Sequence, residues 1–554
     1  MKTKLFISHI GFFPKGSKQF LIQFPKSQKF EVINRWEYTT VFEGWLKPFF
    51  GGDLGEYCVG DFSPIQDEGT YEIRCGDLVS DVIVIHKKPY EMALRTLYNY
   101  FPTQRCGDTY LGWNSPCHLH DAQSSVSGEH VDVTGGWHRS CDLRKWLHGT
   151  LPGVFALSQL AEYEGLKAWT ENLIPDEIKW GNLYYHKMIE SNGRLRDYVS
   201  IPNDWDEKEM RTLADEDAPA INFALMIGVQ CESALFFKEK DPTYAQICLG
   251  KAKALWSYLN SSQMPDRYKG RKFKYHEYLP AIYLKCFRGS SIWIGGLLFA
   301  AEYLYQTTGE NQYLQAAFKN ADSLCALQNE GDVDDQLSNG SFWINEEKKE
   351  FDTSDCHNTW ALFSLIRIIK MKKEVPNRDL YRATIEKVIK QLILSAKRNP
   401  WNLIPAHWYS EDPGGGRPCG DAYYTYFTRF PEVELGNNTA ILIKALVLLE
   451  AHDIVENSSE CISTALHQVE WVLGRNVFNS STCEGIGYNQ QQMLINNDEF
   501  VPPVPQIPGA VQTGIGSILG TDSPQLGVEK VTVEYDMPAT STLLWAIKRL
   551  LEIL

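Results

Sequence analysis

The chain has 554 residues, more than one ordinary hydrophobic core serves, so two or more domains or one large repetitive domain are expected. With 44% hydrophobic and 22% charged residues it has the profile of a folded globular protein rather than a disordered or fibrous one. A formal net charge of −15 argues against a nucleic-acid partner or an anionic membrane held through phosphate contacts.

Residues 1–88 read as β. The opening "MKTKLFISHIGFF" joins two lysines to apolar residues, but His9 interrupts the run and no small-residue cleavage site follows, so a first strand is expected rather than a leader. "KQFLIQF", "YTTVFEGWL", "GTYEIRC" and "SDVIVIH" are short β-branched or aromatic runs between Gly, Pro and Lys turns, and their length and spacing predict a small β-sandwich.

From residue 89 to 554 the texture is helical. "GVFALSQLAEYE", "PAINFALMIGVQCESALFF", "SIWIGGLLFAAEYLYQTTG", "NTWALFSLIRIIKMKK", "NTAILIKALVLLEAHD" and "TSTLLWAIKRLLEIL" place apolar residues at helical spacing. Several are apolar on most sides, as inner helices of a layered domain would be. No strict repeat is visible, so a closed toroid of helical hairpins with its functional loops at one end is expected rather than a solenoid. Residues 479–528, rich in Gly, Pro, Asn and Gln, predict a long ordered loop of functional use. No apolar run is read as reaching the roughly 18 residues that span a bilayer, so no membrane partner is expected. The 13 cysteines are odd in number and scattered, which favours reduced thiols and a cytoplasmic setting; a secreted or periplasmic form whose leader is missing from this sequence is the alternative.

Aromatic residues make up 12% of the chain, with 16 tryptophans, which suits a cleft that stacks on sugar rings. Trp113, Trp137, His407, Trp408 and Tyr424 are the candidates for such a wall, and Arg139 for a polar contact to substrate. "DPGGGRPCGD" (412–421) lacks the Lys-Ser/Thr and the preceding strand of a phosphate loop, so it is a turn and no organic cofactor is expected. In "RCGDTYLGWNSPCHLHD", Cys106, Cys117 and His118 lie close together, and His138 follows in "VDVTGGWHRSCDLRKWL". Two thiolates and two imidazoles are a common set for structural zinc. The spacing is not that of a zinc finger, and with His120 and His130 nearby it leaves the fourth ligand open.

In that second stretch the chain resembles the inverting glycoside hydrolases of family 9, in the branch with an N-terminal immunoglobulin-like domain. Members carry Gly-Gly-Trp-(His or Tyr)-Asp-Ala-Gly-Asp where this chain has Gly135, Gly136, Trp137, His138, Arg139, Ser140, Cys141 and Asp142. The Cys…Cys-His segment, "QVEWVLGRNVFNSSTCEGIGY" (468–488) and "EYDMPATSTLL" match further family features in the same order. The resemblance implies an immunoglobulin-like β-sandwich followed by an (α/α)6 barrel. It also implies zinc on Cys106, Cys117, His118 and His138, and a carbohydrate substrate. Asp142 stands at the position of the catalytic base. Arg139 replaces the family's helper Asp, and a cation there should lower the pKa of Asp142 and weaken it as a base. The acid's place, five residues before Tyr535, is held by Lys530; Glu529 and Glu534 flank it, and Glu534, adjoining the last helix, is the preferred acid. "NQQQMLINND" lacks the family's His-x-Arg sugar-binding pair. These readings predict an inverting hydrolase of β-linked glycans, with a non-catalytic glycan-binding protein and a phosphorolytic enzyme as alternatives.

Overall fold

The computed structural model describes residues 4–108, 116–199, 211–261, 289–331, 337–352, 355–430, 436–493, 507–518, 520–528 and 532–554. Nine strands precede the first helix: β1 Leu5–Phe6, β2 Gln19–Ile22, β3 Lys29–Asn34, β4 Thr39–Trp45, β5 Lys47–Phe49, β6 Tyr57–Asp61, β7 Gly69–Cys75, β8 Leu78–Val79 and β9 Ile83–Ile85. They form one sheet in the order β1-β2-β6-β5 and a second in the order β4-β3-β7-β8, with β9 also paired to β7. Period-2 alternation decides which face is inside: Tyr71, Ile73 and Cys75 of β7 are buried while Arg74 is exposed. Phe20, Ile22, Phe30 and Val32 fill the space between the sheets from the other strands.

Twelve longer helices follow among the described residues: α1 Glu91–Tyr98, α2 Pro152–Glu162, α3 Lys167–Met188, α4 Ala220–Phe237, α5 Pro242–Leu259, α6 Ser290–Thr308, α7 Asn311–Ala326, α8 Asp355–Lys370, α9 Arg378–Ala396, α10 Asn438–Ala451, α11 Ser458–Val472 and α12 Met537–Ile553. The even-numbered helices close a ring, α2 against α4, α4 against α6, and so on to α12 against α2. The odd-numbered helices pack outside them, α1 on α12, α3 on α2, α5 on α4, α7 on α6, α9 on α8 and α11 on α10. This is an (α/α)6 barrel. Inner helices are covered by the lumen side and the outer layer alike, which is why α10 is buried along almost its whole length.

One expectation needs correction. Ala220–Phe237 is 18 residues long with mean hydropathy 1.5, enough by length and composition to cross a bilayer. It is α4 of the inner ring, and 78% of it is buried inside the protein, so its apolarity serves the barrel. The eleven described cysteines are all buried and free of disulfides. Asp53 of the sandwich ties the two domains together: it accepts the hydroxyls of Tyr424 at 2.6 Å and Tyr426 at 3.0 Å, and pairs with Arg417 at 3.2 Å. The His9 ring stacks on Tyr488 with centroids 3.4 Å apart, joining the first strands to the "GIGY" loop.

Candidate active site and metal centre

The loop 131–147 enters the barrel through two glycines held at positive φ, +85° for Gly135 and +73° for Gly136. A side chain on Gly136 would meet the Tyr184 Cβ at 2.4 Å, so the backbone runs directly over α3. Trp137 follows, wholly buried, its indole nitrogen donating to Glu177 at 2.7 Å and its ring packed on Phe101 and Tyr185. It anchors the loop from beneath and presents no face for a sugar.

Arg139 N donates to Arg144 O at 2.8 Å and Leu143 takes a left-handed φ of 58°, so residues 140–143 form a tight turn that lifts Asp142 out of the core. Asp142 is partly exposed, accepting Ser140 Oγ at 3.0 Å and Arg144 N at 3.1 Å, with Arg144 Nε 3.4 Å from its other oxygen. The turn is fastened to the start of α12: the Arg139 carbonyl accepts Tyr100 Oη at 2.8 Å and Met537 N at 3.2 Å.

The Arg139 guanidinium turns to Asp536, the residue preceding α12, with Nε 2.9 Å from Oδ1. Gly149 makes room for it, since a Cβ there would lie 2.4 Å from Arg139 Cδ. Asp536 also accepts Thr439 Oγ1 at 3.4 Å, and burial holds its carboxyl above the usual range despite the arginine. Glu534 sits two residues earlier, its carboxyl close to the Ser140 hydroxyl that donates to Asp142. Burial pushes Glu534 up to about 8, the negative charge of Asp142 adds to the rise, and Arg139 opposes it. The result is a carboxyl that keeps its proton at neutral pH near a second carboxyl, Asp142, both of them partly exposed, and acid–base hydrolysis needs such a pair.

Asp536, Ser140 and Trp146 were not singled out by sequence reasoning. Trp146 lies two residues past Arg144, partly exposed, stacked on Tyr198 at 4.2 Å and 3°. The sequence signal for it was its place in the same motif as Asp142; nothing local signalled the partnership of Arg139 with Asp536, 397 residues apart.

The remaining candidates divide. Trp113 and Glu529 lie outside the described residues, as does Lys530. Tyr424 is fully buried with its hydroxyl on Asp53, so it belongs to the domain junction rather than to a cleft wall. His407 and Trp408 are buried in the strand His407–Tyr409, which pairs with Ala422–Thr425. Trp408 faces a small cavity of about 80 Å³ shared with Leu362, Val388 and Val447.

Cys106, Cys117, His118 and His138 converge in the same loop system. All four are buried, and their ligand atoms lie within 4.8 Å of one another. Cys106 Sγ is 3.7 Å from His118 Nδ1, and Cys117 Sγ is 3.6 Å from His138 Nε2. A tetrahedron with zinc–sulfur and zinc–nitrogen bonds of about 2.0–2.3 Å has edges of roughly 3.3–3.8 Å, so the donor set fits. Burial, with the charge of Arg211 adding, brings His118 down to about 4, which leaves its imidazole neutral. Arg211 donates to Cys106 Sγ at 3.4 Å and is itself held by Asp121, which also pairs with Lys145 at 2.9 Å.

Comparison with known proteins bears on the family and the fold. Residues 90–497 match the family model described as glycosyl hydrolase family 9, and residues 2–80 match the cellulase N-terminal ig-like domain. The chain belongs to glycosyl hydrolase family 9. It is 24% identical over 523 residues to Endoglucanase D of Acetivibrio thermocellus, covering 88% of this chain and 73% of that one. A single-mutant thermostable endoglucanase from Alicyclobacillus acidocaldarius superposes with a TM-score of 0.73 at 18% identity, over 99% of both chains. A Zn-binding triple mutant of the family 9 endoglucanase J30 superposes with a TM-score of 0.71 at 16% identity, covering 97% of this chain and 99% of that one. The protein is therefore a glycoside hydrolase with a carbohydrate substrate.

Within this family 9 site the Arg139–Asp536 pair is nearly enclosed, its side chains 15% and 3% exposed. Removing one member of such a pair typically costs about 3–5 kcal/mol, because the other charge stays buried alone. Arg139→Met should therefore lower unfolding free energy by about that amount, and Arg139→Met with Asp536→Asn should recover most of it. Denaturant unfolding of the two variants measures this directly.

Proposed function

We propose that the protein hydrolyses β-linked glucan chains, with Asp142 as the general base that activates water and Glu534 as the general acid that protonates the leaving oxygen. The observation that supports this most is the placement of Glu534 beside the Ser140–Asp142 pair, where burial raises its carboxyl to about 8. The endoglucanase relatives favour β-glucan as the substrate class. Trp146, stacked on Tyr198 beside Arg144, offers a platform for a sugar ring next to Asp142. The four buried thiol and imidazole ligands would hold a structural zinc, tying the segment around Cys106 to the loop that leads from His138 to Asp142.

An inverting pair needs roughly 6.5–9.5 Å between its carboxyl groups, and a retaining pair only about 5–5.5 Å. Product stereochemistry is thus the decisive measurement. NMR of a cello-oligosaccharide digest at early times should show the α-anomer; the β-anomer, or no product after days of incubation, would overturn the reading. Phosphorolysis finds less support, since the Arg139 charge is answered by Asp536 before any phosphate arrives.

A general acid must be protonated to act, so kcat/KM should hold through neutral pH and fall about tenfold per unit above pH 8, where Glu534 ionises. A pH–rate profile on a soluble cellodextrin checks this, and a basic limb centred near pH 6 would point to a different acid.

A further inference from the structure

The inner helices have a second end, away from the loop that carries Asp142. There a cavity of about 350 Å³ opens between the C-terminal halves of α2, α4, α6 and α8, the last turn of α10, and Trp545 of α12. That volume lies within the roughly 300–1,000 Å³ range of small-molecule pockets. Phe236, Tyr303, Phe363 and Trp545 form aromatic wall, and Glu232 of α4 contributes a carboxyl to the lining.

The charges around it are mostly answered. Arg367 of α8 gives its Nε to Glu302 at 2.8 Å, and Lys370 pairs with Asp453 at 2.6 Å. On α12, Arg549 pairs with Glu450 at 2.8 Å, while Lys548 pairs with Glu552 at 3.0 Å and lies 3.6 Å from Glu162. Glu232 differs. Among the described residues no cation stands within ion-pair distance of it; the Ser158 and Tyr303 hydroxyls are its polar neighbours, and Arg367 acts on it only from farther off. The C-terminal ends of four helices point the negative ends of their dipoles toward the same space. Trp545 Nε1 has no hydrogen-bond partner. Lys240, which does not line the cavity, places its Nζ 4.3 Å from the Phe236 ring centroid, so this ring is within cation–π reach of an ammonium.

We propose that this cavity is a binding site for a small organic cation, a primary amine with an apolar body, and that Glu232 is its counter-charge. The aromatic wall covers the apolar body, and the carboxyl and helix ends select positive charge. Burial, with the charge of Glu162 adding and that of Arg367 opposing, raises Glu232 to about 7. A bound ammonium must therefore displace a proton below that pH, and affinity should drop about tenfold between pH 8 and pH 6.

Calorimetry with benzylamine and its neutral analogue benzyl alcohol tests the assignment on the full chain. Benzylamine should bind at pH 8 at least tenfold more tightly than the alcohol. Glu232→Gln should remove that preference, and Phe236→Leu, which leaves the carboxyl in place, should weaken the amine several-fold. Asp142→Asn should leave amine binding unchanged, because the catalytic carboxyl lies at the other end of the ring. Equal binding of amine and alcohol, no heat with the amine, an unaltered Glu232→Gln variant, or loss of amine binding in Asp142→Asn would each overturn the proposal.

Discussion

Replacing Asp142 by Asn should lower kcat/KM on cello-oligosaccharides by about 10²–10⁴-fold, the usual contribution of a positioned acid or base. The fold should survive, because Asp142 is partly exposed and its hydrogen bonds from Ser140 and Arg144 N can be accepted by the amide oxygen. Glu534→Gln should cost a similar factor for a different reason, the loss of the proton given to the leaving group. The two variants separate in stability. A carboxyl raised to about 8 in the folded protein binds a proton that the unfolded chain has already released, so stability falls as pH rises from the ordinary carboxyl range through about pH 8. Glu534→Gln removes that dependence. It should be inactive yet more heat-resistant than the parent at pH 9, whereas Asp142→Asn lowers the charge facing Glu534 and gains less. A Glu534→Gln protein that remains active would assign the acid elsewhere, and an unchanged thermal midpoint at pH 9 would show that Glu534 is not held protonated.

The barrel was half legible, and the halves divide by layer. The six segments whose apolar spacing predicts helices are the six inner helices, α2, α4, α6, α8, α10 and α12. Each is buried against the lumen on one side and the outer layer on the other, so its sequence is apolar nearly all round. The outer helices read differently because one face is wet. In α3, "KAWTENLIPDEIKWGNLYYHKM" carries Pro175 inside the helix and charges on its exposed side, and tertiary packing on α2 rather than local propensity holds it. The sandwich shows the same bias. Strands in strong β-branched or aromatic runs, β2, β4, β7 and β9, were predicted, while β6, "YCVGD", ends in the strand-poor pair Gly-Asp and does not announce itself.

At the site, the sequence placed what lies within one motif and missed what the fold brings from afar. Asp142 and His138 belong to a contiguous stretch, so a resemblance carries them together. Arg139 reads from sequence as a cation set against Asp142. In the folded chain its Nε is bonded to Asp536 instead, at the start of the last helix. Buried aromatics deceived for a physical reason: Trp137 and Tyr424 have the composition of a sugar platform, but loops that enter a barrel need anchors beneath them as much as walls above.

Chelation should act on the active site through the metal loop. His138 lies four residues before Asp142, and its backbone N–H bonds to Gln104 O at 2.8 Å, so the segment holding Cys106 and the segment holding Asp142 are one hydrogen-bonded unit. Without zinc, two thiols and two imidazoles face one another in a dry pocket beside the Arg211–Asp121–Lys145 cluster, and the crosslink between residues 106, 117, 118 and 138 is gone. Structural zinc in small peptides is worth on the order of 10 kcal/mol of folding free energy. Here packing of the barrel supports the loop independently, so a fraction of that, about 3 kcal/mol, is expected to appear as a fall in thermal midpoint on the order of 5 °C. Activity should fall further, at least the roughly 10–100-fold that disturbing a metal ligand's surroundings costs, because Asp142 depends on the loop's position more than the barrel does. Elemental analysis should find one zinc per chain, and zinc but not magnesium should restore chelated protein. Cys117→Ser should reproduce the chelated state, with Asp142 and Glu534 both present and turnover lost. A Cys117→Ser protein that retains full activity and midpoint would show that the four ligands are packed without a metal.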